Sequence, residues 1–173
     1  MCCGHNNLIK TIIIALFLVL IVVLVIIAIN NSNKSNPNIL VAIANPGDNE
    51  TLGTTTINFS KNNIVEGTAI VHQEGSSVIN INETGIYQVS YQLFGVQDVT
   101  GTFNFNAVLL VNGAALNDTF NQSPVIRNST SNRMTLTSTV ILNLQAGDTL
   151  ELQGVSIEDI RYDNARIDIE KIV

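Results

Sequence analysis

Two hydrophobic patterns divide this chain. The first is an apolar run of eighteen residues, Ile12 to Ile29, that contains no charge, amide or hydroxyl group. After it, short segments alternate apolar and polar residues and are separated by turn residues. A period of two indicates strands with one buried face, whereas a helix packed on a core would repeat every 3.6 residues. The pattern therefore predicts an all-β domain preceded by one hydrophobic segment.

The apolar run is long enough to cross about 30 Å of hydrocarbon as a helix, since each helical residue rises about 1.5 Å. A membrane-spanning helix is the first interpretation. A cleaved signal would have a shorter apolar core and a small-residue cleavage site. Richness in Ile and Val is also compatible with a buried helix or strand, or with a connector that enters a neighbouring subunit. Representative positions of this membrane or connector segment are Ile12, Ile14, Phe17, Leu20, Val23, Ile26 and Ile29.

The apolar run and the residues on either side of it define four segments of the chain. Residues 1–10 form a short N-terminal segment, 11–29 the hydrophobic segment, 30–38 a polar linker and 39–173 the β domain. Lys10 and Lys34 nearly balance the charge on the two sides, and we favour an internal N-terminus with the β domain outside. Cys2 and Cys3 are candidates for an interchain disulfide or for acylation.

The strands of the β domain follow from its alternation. Asn112-Gly113 is the preferred pair for a tight hairpin turn. Nine or ten strands in one domain indicate a two-sheet antiparallel jelly roll. The predicted strands are Ile39–Ala44, Thr54–Phe59, Thr68–His72, Ser77–Ile81, Ile86–Val96, Phe103–Val111, Ala114–Phe120, Met134–Leu144, Thr149–Val155 and Ala165–Val173.

Charge and chemistry exclude several function classes. The net charge is −6, which argues against nucleic acid as a partner. His72 is the one histidine of the β domain, and we expect a structural strand histidine, because no second histidine or cysteine accompanies it as a metal ligand or nucleophile. Glu158, Asp159 and Asp163 could contact calcium, but their spacing matches no complete oxygen-ligand loop. The expectation is a protein without enzymatic activity and without a cofactor.

Four segments carry a family resemblance: Asn82–Tyr91, Ala107–Gly113, Leu144–Leu152 and Ala165–Ile172. In this order and spacing they resemble the C-terminal domains of the collagen-like exosporium glycoproteins of spore-forming bacteria. Those domains belong to the superfamily of tumour necrosis factor and the complement subcomponent q head. The resemblance covers roughly residues 60–173 and implies a jelly roll that forms a homotrimer with its termini at one end. The chain departs from that family in lacking a Gly-x-y repeat and an exosporium leader.

Six aromatic residues could pack either in the core of one subunit or at the axis of a trimer. The candidates for the trimer core or interface are Tyr87, Tyr91, Phe94, Phe103, Phe105 and Phe120, and the alternative is that all six belong to the core of one subunit.

These observations predict a non-enzymatic surface protein. It would be a homotrimeric jelly roll anchored in a membrane by its N-terminal segment, with an extracellular domain whose loops serve adhesion, recognition or coat assembly. The alternative is a structural subunit of an extracellular or spore-surface fibre, in which that segment connects successive trimers. A hydrolase is a more remote class, with His72 as its one candidate base. The sequence identifies no external ligand.

Overall fold

The computed structural model describes residues 14–26, 37–45, 53–97, 100–129, 132–156 and 160–173. The chain divides into two compact units at Asn36 and Pro37. In the first unit, residues 14–26 form an α-helix with exposed side chains. No helix within the described residues is both long enough and apolar enough to cross a membrane. Ile12, Ile29, Cys2 and Cys3, and residues 30–36 of the predicted linker, lie outside the described residues.

The second unit is built from strands. A 3₁₀ turn, Asn117–Thr119, interrupts them after β9. The strands are β1 (Ile39–Ala44), β2 (Thr55–Thr56), β3 (Lys61–Glu66), β4 (Ile70–His72), β5 (Ile79–Ile81), β6 (Gly85–Gln97), β7 (Gly101–Phe103), β8 (Asn106–Val111), β9 (Ala114–Ala115), β10 (Asn121–Gln122), β11 (Ile126–Ser129), β12 (Asn132–Leu144), β13 (Thr149–Val155) and β14 (Arg161–Lys171).

Two antiparallel sheets form the body of this unit. The five-stranded sheet has the order β12-β6-β14-β1-β3. The seven-stranded sheet runs β10-β8-β13-β5-β4, with β2 paired to β13 and β9 paired to β8. A third sheet joins β11 to β7. Several paired strands are distant in sequence, such as β6 with β14, β14 with β1 and β8 with β13, which is the crossing connectivity of a jelly roll. The predicted fold class is therefore confirmed.

The core lies between the two large sheets. Along β6, Tyr87, Val89, Tyr91 and Leu93 are buried, whereas the residues between them reach the other side of the sheet. This alternation confirms the faces predicted from the sequence, and it follows from the period of two in a strand. Leu109, Leu150 and Leu152 of the seven-stranded sheet, and Ile167 and Ile169 of β14, belong to the same core cluster.

The last residues of the chain are tied to β6. The Ile172 N–H donates to the Ile86 carbonyl at 2.7 Å, and the Ile86 N–H donates to the Val173 carbonyl at 2.9 Å. A terminus with its backbone hydrogen bonds satisfied in this way is held to the sheet. The predicted last strand is present, although it starts earlier than predicted, at Arg161, and ends at Lys171.

Several regions differ from the predicted strands. The predicted strand Phe103–Val111 is divided into β7 and β8, and β10 and β11 lie where no strand was predicted. β3 was not predicted, because its Lys-Asn-Asn-Ile-Val-Glu sequence is mostly polar and exposed. The predicted strand Ala114–Phe120 is divided into β9 and the 3₁₀ turn before β10. Thr119 explains this break: its hydroxyl donates to the Leu116 carbonyl and accepts the Leu109 N–H at 2.9 Å, which curls the chain back onto β8.

Candidate subunit interface

His72 forms a closed structural site. Its Nδ1 lies 2.6 Å from the Asn62 Oδ1, and its Nε2 lies 3.0 Å from the Ser76 carbonyl oxygen. The ring meets the edge of Phe59 at a centroid distance of 6.0 Å. Both ring nitrogens have protein partners, and the side chain is buried. The expectation of a structural histidine is confirmed, and the geometry offers no free nitrogen to act on a substrate.

The carboxylates considered for calcium do not form a described site. Within the described residues, no group of three or more His, Cys, Asp and Glu side chains is placed to hold a metal ion. Asp163 lies beside Arg161, with 3.9 Å between Nε and Oδ1. Glu158 and Asp159 lie outside the described residues.

The candidate site is the side of the five-stranded sheet that faces away from the core, which we call the outer face. Its residues align across the strands because the sheet is antiparallel and in register. One row is Thr137, Gln92, Arg166 and Ile43, and the next is Thr139, Ser90, Asp168, Val41 and Ile64. A third row is Ile141, Gln88, Glu170, Ile39 and Glu66.

The centre of the outer face is polar and internally paired. The Ser90 and Thr139 hydroxyls lie 2.9 Å apart. The Arg166 Nε donates to both carboxylate oxygens of Asp168, at 2.8 and 3.0 Å. This pair neutralises its own charge within one subunit, so a second subunit could cover it without meeting an isolated charge.

Apolar side chains surround that polar centre. On one side stand Ile39, Val41 and Ile43 of β1, and beyond them the Ile64 side chain of β3 is 44% exposed. On the opposite side, Ile141 of β12 is 64% exposed. Subunit interfaces also combine apolar and polar groups, with hydrogen bonds between the polar ones.

Three hollows open on the outer face. The first, of about 350 Å³, is lined by both apolar and polar residues, among them Ile43, Phe94 and Arg166. The second, of about 540 Å³, lies over Ser90, Thr137 and Thr139, and a smaller one of about 80 Å³ lies beside Ile39. A face with such depressions can receive side chains from a neighbouring molecule.

The six aromatic candidates divide into two groups. Tyr87, Tyr91, Phe103 and Phe105 are buried in the core of the single subunit. Phe94 is half-buried on the outer face. Phe120 is 50% exposed and follows the 3₁₀ turn. The geometry thus makes only these last two available to another subunit.

The buried tyrosines fix the core. The Tyr91 hydroxyl donates to the Thr119 carbonyl at 2.5 Å, and burial raises the pKa of that hydroxyl to about 12. The Tyr162 hydroxyl donates to the Gly53 carbonyl at 3.0 Å, and burial raises its pKa as well. These are neutral structural groups at physiological pH.

Several outer-face residues were not singled out from the sequence. Arg166 and Asp168 lie in the predicted strand Ala165–Val173. Thr135, Thr137 and Thr139 lie in the predicted strand Met134–Leu144, and the sequence predicts no role for any of these five residues. The signal that could have found them is the run of small hydroxyl residues at every second position of β12.

These sheets define a two-sheet jelly roll of the tumour necrosis factor and complement subcomponent q type. The globular domain of zebrafish complement 1qA superposes with a TM-score of 0.57 and 12% identity, covering 80% of this chain and 98% of that one. Murine APRIL at pH 8.5 gives a TM-score of 0.50 and 17% identity, covering 78% of this chain and 100% of that one. At this identity the likeness concerns the fold. No protein-family model matches the chain, and no curated protein is similar to it in sequence.

Proposed function

We propose that the protein is a non-enzymatic surface protein whose jelly rolls associate as a homotrimer through the outer face. The outer face carries this proposal. It combines three hollows, exposed apolar side chains and an ion pair that is satisfied within one subunit. The trimer implied by the family resemblance is the assembly that would cover it.

A ring of three needs two different surfaces on each subunit, because a cyclic contact is made head to tail. The outer face is the first. The second is the β12 side of the domain, where Phe120 is exposed and a hollow of about 360 Å³ lies between β12 and the 3₁₀ turn. We propose that this side of one subunit packs on the outer face of the next.

The N-terminal segment would anchor the trimer. Its eighteen apolar residues, Ile12 to Ile29, match the length required to cross a membrane. The polar residues 30–38 would separate the anchor from the jelly roll. The loops of the jelly roll would then be displayed outside the cell, where they serve adhesion, recognition or coat assembly.

The test is the mass of the full chain in detergent, after correction for the micelle. One chain has a mass of 18.7 kDa, and we expect three copies, or six where two trimers associate. Thr139→Arg places a long cation in the middle of the outer face and should reduce the assembly to single chains. The matched control is Asn80→Arg, which adds the same charge to an exposed strand position of the other sheet. A single-chain wild type, or equal masses for the two variants, would contradict the proposal.

A fibre is the second candidate, because eleven of the eighteen residues in the apolar run are Ile or Val. β-branched residues pack well as strands or in helical connectors. In this version the segment inserts into the next trimer, and Cys2 and Cys3 lock the joint. Electron microscopy of the protein without detergent would then show regular filaments, whereas discrete particles that require detergent favour the anchor.

A further inference from the structure

The two edges of the five-stranded sheet are not equivalent. At the β12 edge, the Asn121 Nδ2 donates to the Thr137 carbonyl at 2.6 Å, so a neighbouring segment covers part of the backbone. At the β3 edge the sheet ends, with β1 as the strand partner of β3 within the described residues, and side-chain and backbone groups of Glu74 and His72 contact Asn62 there. Ile64 and Val65 of β3 are 44% and 54% exposed. An edge strand with exposed apolar residues is a template for another strand.

A bulge sets which side chains of β3 share a face. Ile64 lies opposite Val41 and Asn62 opposite the next residue, Ala42, so Asn63 is the extra residue. Lys61 pairs with Ile43, and Glu66 pairs with Ile39, and both of these partners are on the outer face. Lys61, Ile64 and Glu66 therefore share the outer face. Without the bulge, strict alternation would place Lys61 and Glu66 on opposite sides.

We propose that β3 pairs antiparallel with β3 of a second copy of this chain, about a twofold axis at Ile64. The symmetry places Ile64 opposite its counterpart, Asn62 opposite Val65 of the second copy, and Lys61 opposite Glu66 twice. Opposite charges facing each other across two strands stabilise the pairing. A parallel arrangement would place like charges together, so the sequence of β3 selects the antiparallel one.

The backbone groups of β3 are directed suitably for this pairing. The Asn62 N–H points away from β1, because it donates to the Glu74 Oε1 at 2.8 Å. With Asn63 as the extra residue, the alternation of an antiparallel ladder directs the Val65 N–H and C=O the same way. Asn62 and Val65 of two copies can then exchange two hydrogen bonds. The Val65 carbonyl of the second copy would replace the exposed Glu74 carboxylate as the acceptor.

This contact goes beyond the proposed trimer, because it uses the strand edge of β3, which borders the outer face, and a different symmetry. A twofold contact is made by the same patch on both subunits. It would join two five-stranded sheets into one continuous sheet of ten strands. If the trimer also forms, the contact would link trimers to one another, which is what a protein that builds a coat requires.

Disulfide trapping tests the register. In the full chain with Cys2→Ser and Cys3→Ser, Ile64→Cys places two thiols across the axis, where opposed Cα atoms are about 4.5 Å apart and suited to a disulfide. We expect a covalent dimer after mild oxidation in detergent. The control is Val71→Cys, which is 45% exposed in β4 of the other sheet and should remain single-chain. No dimer at Ile64→Cys, or equal dimer at both positions, would overturn the proposal.

Charge reversal tests whether Lys61 of one copy faces Glu66 of the other, and it leaves Ile64 at the twofold axis unchanged. Lys61→Glu should weaken the twofold association about tenfold, since it puts like charges together at two places. Lys61→Glu combined with Glu66→Lys should restore it. Masses by ultracentrifugation separate the two proposals: six copies support both, and two copies support the β3 pairing without the trimer. Three copies would support the trimer and overturn the β3 pairing. The β3 pairing would also be overturned if the double variant failed to restore the association.

Discussion

The outer surfaces of the two large sheets are built differently. The five-stranded sheet rests on long strands, with thirteen residues in β6 and in β12 and eleven in β14. The seven-stranded sheet includes strands of two or three residues, such as β4, β5 and β10. Long strands in register give one continuous surface, whereas short strands are separated by turns. The first arrangement suits association with another subunit and the second suits the display of loops.

The turns of the seven-stranded sheet are held by their own hydrogen bonds. Asn112 and Gly113 both have positive φ, 52° and 76°, as a type I′ turn requires. The Asn112 Nδ2 donates to the Asp148 Oδ1 at 2.8 Å, so two neighbouring turns support each other. Hydrogen bonds from the Asn112 side chain and the Gln145 backbone lower the pKa of Asp148. Loops on this side therefore have a defined shape.

The largest expected effect is the difference in the free energy of unfolding between substitutions at two adjacent residues of β6. Leu93 is fully buried in the core, whereas Phe94 is half-buried on the outer face. Leu93→Ala should lower the free energy of unfolding by about 2–5 kcal/mol, because it leaves a cavity. Phe94→Ala should weaken the assembly and change the stability of the single subunit much less. Denaturant titration at low concentration, together with mass measurement, checks both; equal destabilisation by the two substitutions would contradict the assignment of faces.

A second prediction concerns the packing of Tyr162 beneath β13. A Cβ atom at Gly154 would collide with the Tyr162 ring. Gly154→Ala should therefore destabilise the fold by about 1–3 kcal/mol, since the ring must move. Gly75→Ala is not a suitable control, because its φ of 85° is strained for alanine. The double variant Gly154→Ala, Tyr162→Phe keeps the aromatic ring but lacks its hydroxyl group, so we expect it to be no more stable than Gly154→Ala. That result would show that crowding of the ring, and not loss of the hydroxyl contact, lowers the stability.

A smaller effect is expected from one hydroxyl group. The Tyr91 hydroxyl bridges β6 to the carbonyl of Thr119. Tyr91→Phe should cost about 0.5–1.5 kcal/mol, which is the net contribution of one hydrogen bond. Thermal unfolding measures the change. An unchanged midpoint would show that the bond does not hold the 3₁₀ turn against β6.

The smallest effect is a pH dependence at the end of the sheet. Lys171 Nζ lies 2.7 Å from the Glu83 Oε2. Its hydrogen bond lowers the pKa of Glu83 below 4.5 and raises that of Lys171 above 10.5. The ion pair therefore stabilises the fold at pH values between 4.5 and 10.5. This stabilisation is lost as the pH falls through the lowered pKa of Glu83 or rises through the raised pKa of Lys171. Glu83→Gln should reduce the thermal midpoint slightly at pH 7, and the difference from wild type should vanish in acid.

Sequence reasoning could predict the fold where alternation was strong. β6 and β13 each show several apolar residues at every second position, so their buried faces followed directly. β3 could not be found in this way, because backbone pairing with β1 holds it while its side chains remain exposed. The division of the segment Ala114–Phe120 also depended on a contact between the Thr119 hydroxyl and a distant strand.

The candidate interface was less predictable than the fold. Aromatic content suggested an excess over the needs of one core, yet Phe103, Phe105 and Tyr162 pack on one another there. The arrangement of Arg166 and Asp168 beside Ser90 requires the register of three strands, which no single segment specifies. Composition within a strand thus indicated its faces, while the assembled surface depended on pairing between strands.

The central claim is that another subunit covers the outer face, and thiol protection tests it directly. In the full chain with Cys2→Ser and Cys3→Ser, the thiol introduced by Gln92→Cys lies on the outer face, and that introduced by Asn80→Cys lies exposed on the other sheet. We predict that alkylation at position 92 is slow at concentrations where the protein assembles and becomes fast on dilution, while position 80 reacts quickly throughout. Fast alkylation of both thiols at every concentration would contradict the account.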